Sequence, residues 1–178
     1  MSWMQTYTGR KFTPLNPSPA DIDIVDIAHA LSMTCRFGGH CKQFYSVAQH
    51  SVLMAEMAAP QDKLRALLHD AAEAYIGDLI RPVKVHNDSF CRIEDIVELA
   101  IADALGMPFP ITNAAVKELD NRILTDERDQ VLTHTPCSFD DGWPNLPPLG
   151  VTIEEWSPFV AREKFLNAFQ EYNRVSDF

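Results

Sequence analysis

Strand signals are almost absent from this sequence, and so are the marks of several common chemistries. No G-x-x-x-x-G-K-[ST] or G-x-G-x-x-G occurs, which argues against nucleotide binding on a P-loop or a Rossmann turn. The four cysteines, Cys35, Cys41, Cys91 and Cys137, include no C-x-x-C pair, and the chain opens on Met1-Ser2-Trp3-Met4 rather than on a basic stretch leading into an apolar run. Reduced thiols in a cytoplasmic protein are the expectation. Charged or polar residues interrupt every apolar stretch before it reaches the roughly 18 to 20 residues that cross a bilayer, so no membrane span is expected. Basic residues are scarce, 15 against 25 acidic ones, for a formal net charge of -10. That field repels polyanions and speaks against a long nucleic acid as partner. A small phosphate ester stays open, because one dication and one arginine reverse the sign locally.

What is present is helical periodicity over 178 residues, a length that suits one domain burying roughly 70% of the surface its unfolded chain exposes. Residues 1–20 carry turn signals with aromatics at Trp3, Tyr7 and Phe12, and read as an irregular but packed lead-in. Ile24, Ile27, Ala28 and Leu31 predict a first helix from residue 21 to the break at Phe37-Gly38-Gly39. Ser46-Val47-Ala48-Gln49 has the form of a capping box and starts a second helix over 46–59, closed by Pro60. Asp62 is the expected cap of a third, which carries Leu64, Leu67, Leu68, Ala71 and Tyr75 and ends at Gly77. A fourth covers 90–105, and a fifth starts at Thr112 or Asn113 and carries Val116, Leu119, Ile123, Leu124 and Val131. Residues 135–157 read as a long loop before a last helix at 158–174. The expected architecture is all-α, a single-domain helical bundle or orthogonal helix array.

Three of these helices carry ionisable residues that matter. His69, Asp70 and Glu73 share an arc of about a right angle on the third helix, away from its leucine stripe, and alone read as an ordinary solvated face. His50 is flanked on its wheel by Val47, Leu53, Met54 and Met57, so it points inward, where each ring nitrogen needs a partner. Alone, it is most simply a satisfied core histidine. Asp120 falls within the stripe of Val116, Ile123 and Leu124, whereas Asp126 and Asp129 fall off it. A buried carboxylate is costly unless compensated, and a salt bridge to Arg or Lys compensates as a metal does. An inward His, a His-Asp pair and an inward Asp on three helices are together satisfied by one divalent transition metal ion. Two imidazoles and two carboxylates suit Mn, Co, Fe, Ni or Zn.

The order His50, then His69-Asp70, then Asp120 resembles the H...HD...D signature of the HD-domain phosphohydrolases. The wider pattern, Cys35-Arg36-Phe37...Ser46-Val47-Ala48-Gln49-His50-Ser51 and His69-Asp70-Ala71-Ala72-Glu73...Gly77-Asp78-Leu79-Ile80-Arg81-Pro82-Val83-Lys84, is similar to their bacterial 5'-deoxynucleotidase branch and its prophage-borne relatives. The resemblance covers residues 20–133 of what it implies to be a single HD domain. It implies that His50, His69, Asp70 and Asp120 are metal ligands and that Glu73 orients or deprotonates the attacking water. It further implies that Asp78 is a second acid near the scissile phosphate and that Arg36 binds the substrate phosphate, a task its planar fork suits. The implied reaction is hydrolysis of a 5'-nucleoside monophosphate, preferably a deoxynucleotide, to nucleoside and phosphate; by analogy with relatives the implied assembly is a homodimer.

Two departures limit the transfer. Phe37 stands where that branch has a Trp thought to pack against the sugar, and the Gly38-Gly39-His40 insert is unlike it. Deoxyribose preference is thus implied less firmly than hydrolysis. The same constellation also serves hydrolases of (d)NTPs, cyclic dinucleotides and alarmones, and non-catalytic nucleotide-sensing modules. All four ligands and Glu73 are present, which favours an enzyme. The remaining residues get simpler readings. Cys35, His40 and Cys41 have no common zinc spacing, Cys91 has no base beside it, and His29, His86 and His134 read as surface or capping residues. Glu94, Asp95 and Glu98 read as a solvated face of the fourth helix, and Trp143 and Trp156 receive no role.

Overall fold

The computed structural model describes residues 2–133 and 146–175. Its helices are α1 (Ile24–Met33), α2 (Val47–Met57), α3 (Lys63–Leu68), α4 (Glu73–Ile76), α5 (Arg81–Lys84), α6 (Asp88–Leu105), α7 (Ala114–Gln130) and α8 (Pro158–Val175). Short polar side chains set where the longer ones begin, by accepting from backbone amides that the helix leaves free. Asp23 accepts from Val25 N, Ser46 from Gln49 N, Asn87 from Phe90 N and Asn113 from Val116 N. Gly106 ends α6 in the left-handed conformation, at φ 66°, that a residue without Cβ adopts freely.

These helices share one core, and the fold is all-α as expected. α2 lies at its middle, buried at every residue from Val47 to Ala55, with α1, α3 and α8 packed around it. α8 closes the arrangement by inserting Ala161, Phe165, Ala168 and Tyr172. A helix enclosed on all sides has no face on which to leave a polar residue in water, so Gln49, His50 and Ser51 are buried with the apolar ones. Among the described residues no helix is long and apolar enough to cross a membrane.

Several details differ from the sequence expectation. The lead-in contains a small antiparallel hairpin, β1 (Met4–Gln5) with β2 (Lys11–Phe12), whose Phe12 is fully buried and stacks on Tyr75 at 4.1 Å between ring centroids. The first helix ends at Met33, because Thr34 and Cys35 are extended and Cys35 bridges to Ser46; a separate 3-10 turn then covers Arg36–Gly39. The third helix is not continuous. It breaks after Leu68, and residues 69–72 form a turn whose amides reach back three residues, Ala71 N to Leu68 O and Glu73 N to Asp70 O. Asp62 does not cap α3 but accepts from Asn113 Nδ2 at 2.7 Å. The capping box at Ser46 is only half formed, since the Gln49 amide donates to Glu154 O at 2.5 Å instead of reaching back to its own helix end. α5 was not foreseen, and α6, capped by Asn87, starts at Asp88, two residues before the predicted Phe90.

Asp126 also corrects the wheel. It is buried, and its carboxylate accepts from Leu149 N at 2.6 Å and Gly150 N at 3.0 Å. Gln130, one turn later, accepts from Ile153 N and donates to Val151 O, so this end of α7 pins an irregular strap formed by residues 146–157. The rest of the predicted loop, with His134, Cys137 and Trp143, lies outside the described residues.

Removing the Asp126 carboxylate strands two backbone donors, and a hydrogen bond to a charged group contributes about 1.5 to 3 kcal/mol. Asp126→Ala is therefore expected to lower unfolding free energy by about 3 kcal/mol in a urea titration while leaving bound metal unchanged. A loss below the error of the titration would mean that the strap is held by other contacts.

Candidate metal centre

Three elements deliver the central side chains. α2 supplies His50, the turn after α3 supplies His69 and Asp70, and α7 supplies Asp120. Ligand-type atoms of His50, His69 and Asp120 all lie within 4.8 Å of one another. The two Nε2 atoms are 3.3 Å apart, and Asp120 Oδ1 lies 3.6 Å from that of His50 and 4.0 Å from that of His69. Asp70 borders the triad, its Oδ2 3.1 Å from His69 Nε2 and 3.9 Å from His50 Nε2. The break in the third helix thus does not scatter the predicted residues; the tight turn presents His69 and Asp70 to one point.

Hydrogen bonds decide what these rings offer. His69 Nδ1 donates to Ala66 O at 2.8 Å, and His50 Nδ1 donates to Glu127 Oε1 at 2.7 Å. With each Nδ1 committed to an acceptor, both rings turn Nε2 toward the carboxylates and toward each other, 3.3 Å apart. Burial works against a charged His69, yet Asp70 and Asp120 outweigh it and raise its pKa above the ordinary value. Asp120 does have the lysine partner that the simpler reading anticipated, Lys117 Nζ at 2.7 Å from Oδ2. That pair is half exposed and occupies the other oxygen, so it is worth at most about 1 kcal/mol and leaves Oδ1 to the histidines. A donor set of imidazole nitrogens and carboxylate oxygens converging on one point fits a dication.

Around this triad the carboxylates divide into two groups. Burial opposes ionisation of Asp70 and Asp120, but the two histidines more than offset it and hold both pKa values below the ordinary range. Glu73 and Asp78 go the other way: burial raises both, and neighbouring acids, Asp70 for each and Asp78 for Glu73, add to the rise. Environments that drive neighbouring carboxyls apart separate ligands from proton carriers. Glu73 Oε2 is buried without a hydrogen-bond partner.

Arg36 leaves its 3-10 turn to place Nη2 at 3.1 Å from Glu127 Oε2 and Nη1 at 3.7 Å from Asp70 Oδ2, while Nε is buried and unpartnered. Its guanidinium lies 5.3 Å from the Phe37 ring centroid. Phe37 itself has φ 55°, the left-handed region that costs a residue with Cβ about 1 to 2 kcal/mol, and Gly38 follows at φ 60°. Phe37 lines a surface hollow with Gly39, His40, Cys41, Leu132 and Thr133, to which none of the metal-centre residues contributes.

Glu127, Tyr45 and Lys84 are the residues to which sequence reasoning gave no role. Glu127 follows Asp120 by seven residues, two helical turns on the same face, so its spacing carried the signal. Lys84, ion-paired with Glu94 at 2.6 Å, brings a second positive charge beside Glu73 and Asp70. Glu94 is therefore not a free solvated acid, and neither is Glu98, which accepts from Ile111 N at 2.7 Å. His29 is half-buried and stacks on Tyr7 at 3.7 Å between ring centroids. No second metal-competent group occurs among the described residues; the Cys41 thiol donates to Arg36 O, and burial together with Cys35 pushes its pKa up to about 12.

Fold and site together define an all-helical protein with a His50, His69 and Asp120 group able to hold a metal ion. The chain is 37% identical to the uncharacterized protein YfdR of Escherichia coli (strain K12), with 98% of each chain covered, and belongs to the same family. It is also 34% identical to the uncharacterized protein RCAP_rcc00048 of Rhodobacter capsulatus, with 78% of each covered. No family model matches the chain.

Each of the substitutions His50→Ala, His69→Ala and Asp120→Ala is expected to abolish stoichiometric metal on elemental analysis. A dication added to metal-free parent protein at about 100 times its Kd should raise unfolding free energy by about 2.7 kcal/mol. An unchanged melting temperature across Mn, Co, Fe, Ni and Zn would refute the metal centre.

Proposed function

We propose that this chain is an HD-type, metal-dependent phosphohydrolase that removes the 5'-phosphate of nucleoside monophosphates, deoxynucleotides in preference. The observation that carries the reading is the convergence of ligand-type atoms of His50, His69 and Asp120 beside two neighbouring carboxyls, Glu73 and Asp78, whose pKa values are raised. His50, His69, Asp120 and the adjoining Asp70 would hold the metal. When bound, a dication supplies Lewis acidity, lowering the pKa of water and neutralising charge on a phosphoryl oxygen.

The chain's own residues supply the rest. Glu73, with a buried oxygen free of hydrogen bonds, takes or steers the proton of the attacking water. Asp78, protonated more readily than an ordinary aspartate because burial and Asp70 disfavour its anion, delivers a proton to the leaving 5'-oxygen. Arg36 and Lys84 set positive charge against the phosphate, Arg36 held in place by Glu127 and Lys84 by Glu94. Phe37, fixed in a strained conformation beside the Arg36 guanidinium, offers an apolar ring to the sugar. The substrate class and the sugar preference come from the resemblance to the deoxynucleotidase branch, and the geometry supports the reaction type.

A panel of nucleotides assayed for inorganic phosphate, after metal removal and readdition, tests the reading. Phosphate from dNMPs is expected, with Glu73→Ala keeping its metal but losing about 10²-fold or more in kcat. Phe37→Ala should narrow a dAMP-over-AMP preference that begins at roughly 5- to 150-fold, the equivalent of 1 to 3 kcal/mol for an unpaired buried 2'-hydroxyl. Triphosphate or pyrophosphate as product would redirect the assignment to another phosphate ester, and equal rates on both sugars would remove the deoxyribose preference alone.

A further inference from the structure

We infer that Glu127 is the positioning residue of the metal centre: it commits His50 to ligation through Nε2 and joins that ligand to the site arginine through one carboxylate. The inference rests on the metal-binding part of the proposed function and not on the reaction.

Glu127 is fully buried, so its oxygens have only protein donors to satisfy them. Oε1 accepts from His50 Nδ1 at 2.7 Å and from the Tyr45 hydroxyl at 2.9 Å, and Oε2 accepts from Arg36 Nη2 at 3.1 Å. These donors reach it from α2, from the residue before the Ser46 cap and from the 3-10 turn of Arg36. Its Oε2 is ion-paired with the Arg36 guanidinium at 3.1 Å, the geometry of an ionised carboxylate. An ionised carboxylate has no proton to give, so the bond to His50 has one direction, with Nδ1 as donor.

The placement on α7 is what makes this a device for a ligand rather than a repair of the core. Asp120 and Glu127 are two turns apart on one face, about 10 Å along the axis, and the His50 ring spans the gap between them. One ring nitrogen is bonded to Glu127, while the other lies 3.6 Å from Asp120 Oδ1. A single rigid helix therefore sets both the ligand oxygen and the group that aims the ligand nitrogen. The same carboxylate fixes Arg36, so a displacement at Glu127 is felt by the metal and by the phosphate-binding charge together. A core residue serving stability alone would need none of this directionality.

The test is cobalt(II) binding by the purified full chain, measured by competition with a chromogenic chelator and by the visible absorption of the bound ion, with no nucleotide present. Glu127→Gln keeps the shape but offers Arg36 an amide N–H or His50 a neutral acceptor in place of the carboxylate. Loss of such an outer partner typically weakens metal affinity about 10- to 100-fold, and that loss with an altered cobalt spectrum is expected for Glu127→Gln. Tyr45→Phe removes a hydrogen bond to Glu127 without touching His50 and should keep the parent's affinity and spectrum, even if it melts earlier. Parent-like affinity and spectrum in Glu127→Gln would overturn the inference, as would equal weakening by Tyr45→Phe, which would mark a structural network. A parent chain that binds no cobalt would overturn it together with the metal reading. A chain that binds cobalt as expected but releases no phosphate from nucleotides would count only against the phosphohydrolase assignment.

Discussion

His50 reaches the middle of the molecule on a helix with no solvated face, and the carboxylate of Glu127 is what makes that position tenable. A buried imidazole needs a partner at each nitrogen, and Glu127 satisfies one of them with a charge-assisted bond of 2.7 Å. The other nitrogen is then obliged to face His69 and Asp120. Arg36 balances the charge that Glu127 brings into the core, which draws the 3-10 turn of Arg36–Gly39 against α7. From one buried carboxylate follow the orientation of a ligand, the location of a cation and the path of the chain between α1 and α2. Removing one partner would leave the others buried and unpaired, which costs far more than the net gain of making the pair.

Strain and irregularity gather at the same place. The turn at residues 69–72 interrupts what periodicity reads as one helix, and the left-handed Phe37 lies beside Arg36. Regular helix would have satisfied every backbone group at less cost. Both departures turn side chains toward the centre, His69 and Asp70 in one case and Arg36 in the other. The surrounding helices over-determine these conformations through a continuous apolar core, which is the condition under which local strain persists.

The helical class, the longer helix positions and the inward direction of His50 and Asp120 were legible because they rest on periodicity and on capping residues, both local properties. Asn113 at the head of α7 and Gly106 at the end of α6 are examples where one residue type at one place suffices. What escaped was non-local. Asp62 and Asn113 meet across 51 positions, and Gln49 and Glu154 across 105, so the expected cap and capping box yielded to tertiary partners. Asp126 looked like a polar residue off the stripe of the wheel because the strap that covers it comes from distant sequence. The break at His69 was invisible for another reason: no Gly or Pro marks it, and the residues there would be comfortable in an unbroken helix. The candidate ligands were recognisable through their order and spacing; Glu127 was given no role, although it follows Asp120 by two turns.

If it acts on phosphate esters as proposed, this acidic protein must solve a charge problem. Asp70, Asp120 and Glu127 all have pKa values held below the ordinary range, so three negative charges stand against Arg36 and a more distant, ion-paired Lys84. A phosphate dianion entering among these side chains alone meets net repulsion in a region of low dielectric, where such repulsion is strong. In the proposed function the carboxylates must therefore be compensated before substrate can bind. Glu73 and Asp78, whose pKa values burial and neighbouring acids raise, lie beside that charge rather than within it. In that reading the carboxyls that would hold a cation and those that would move protons are kept as separate sets by environment alone, since all four are chemically alike.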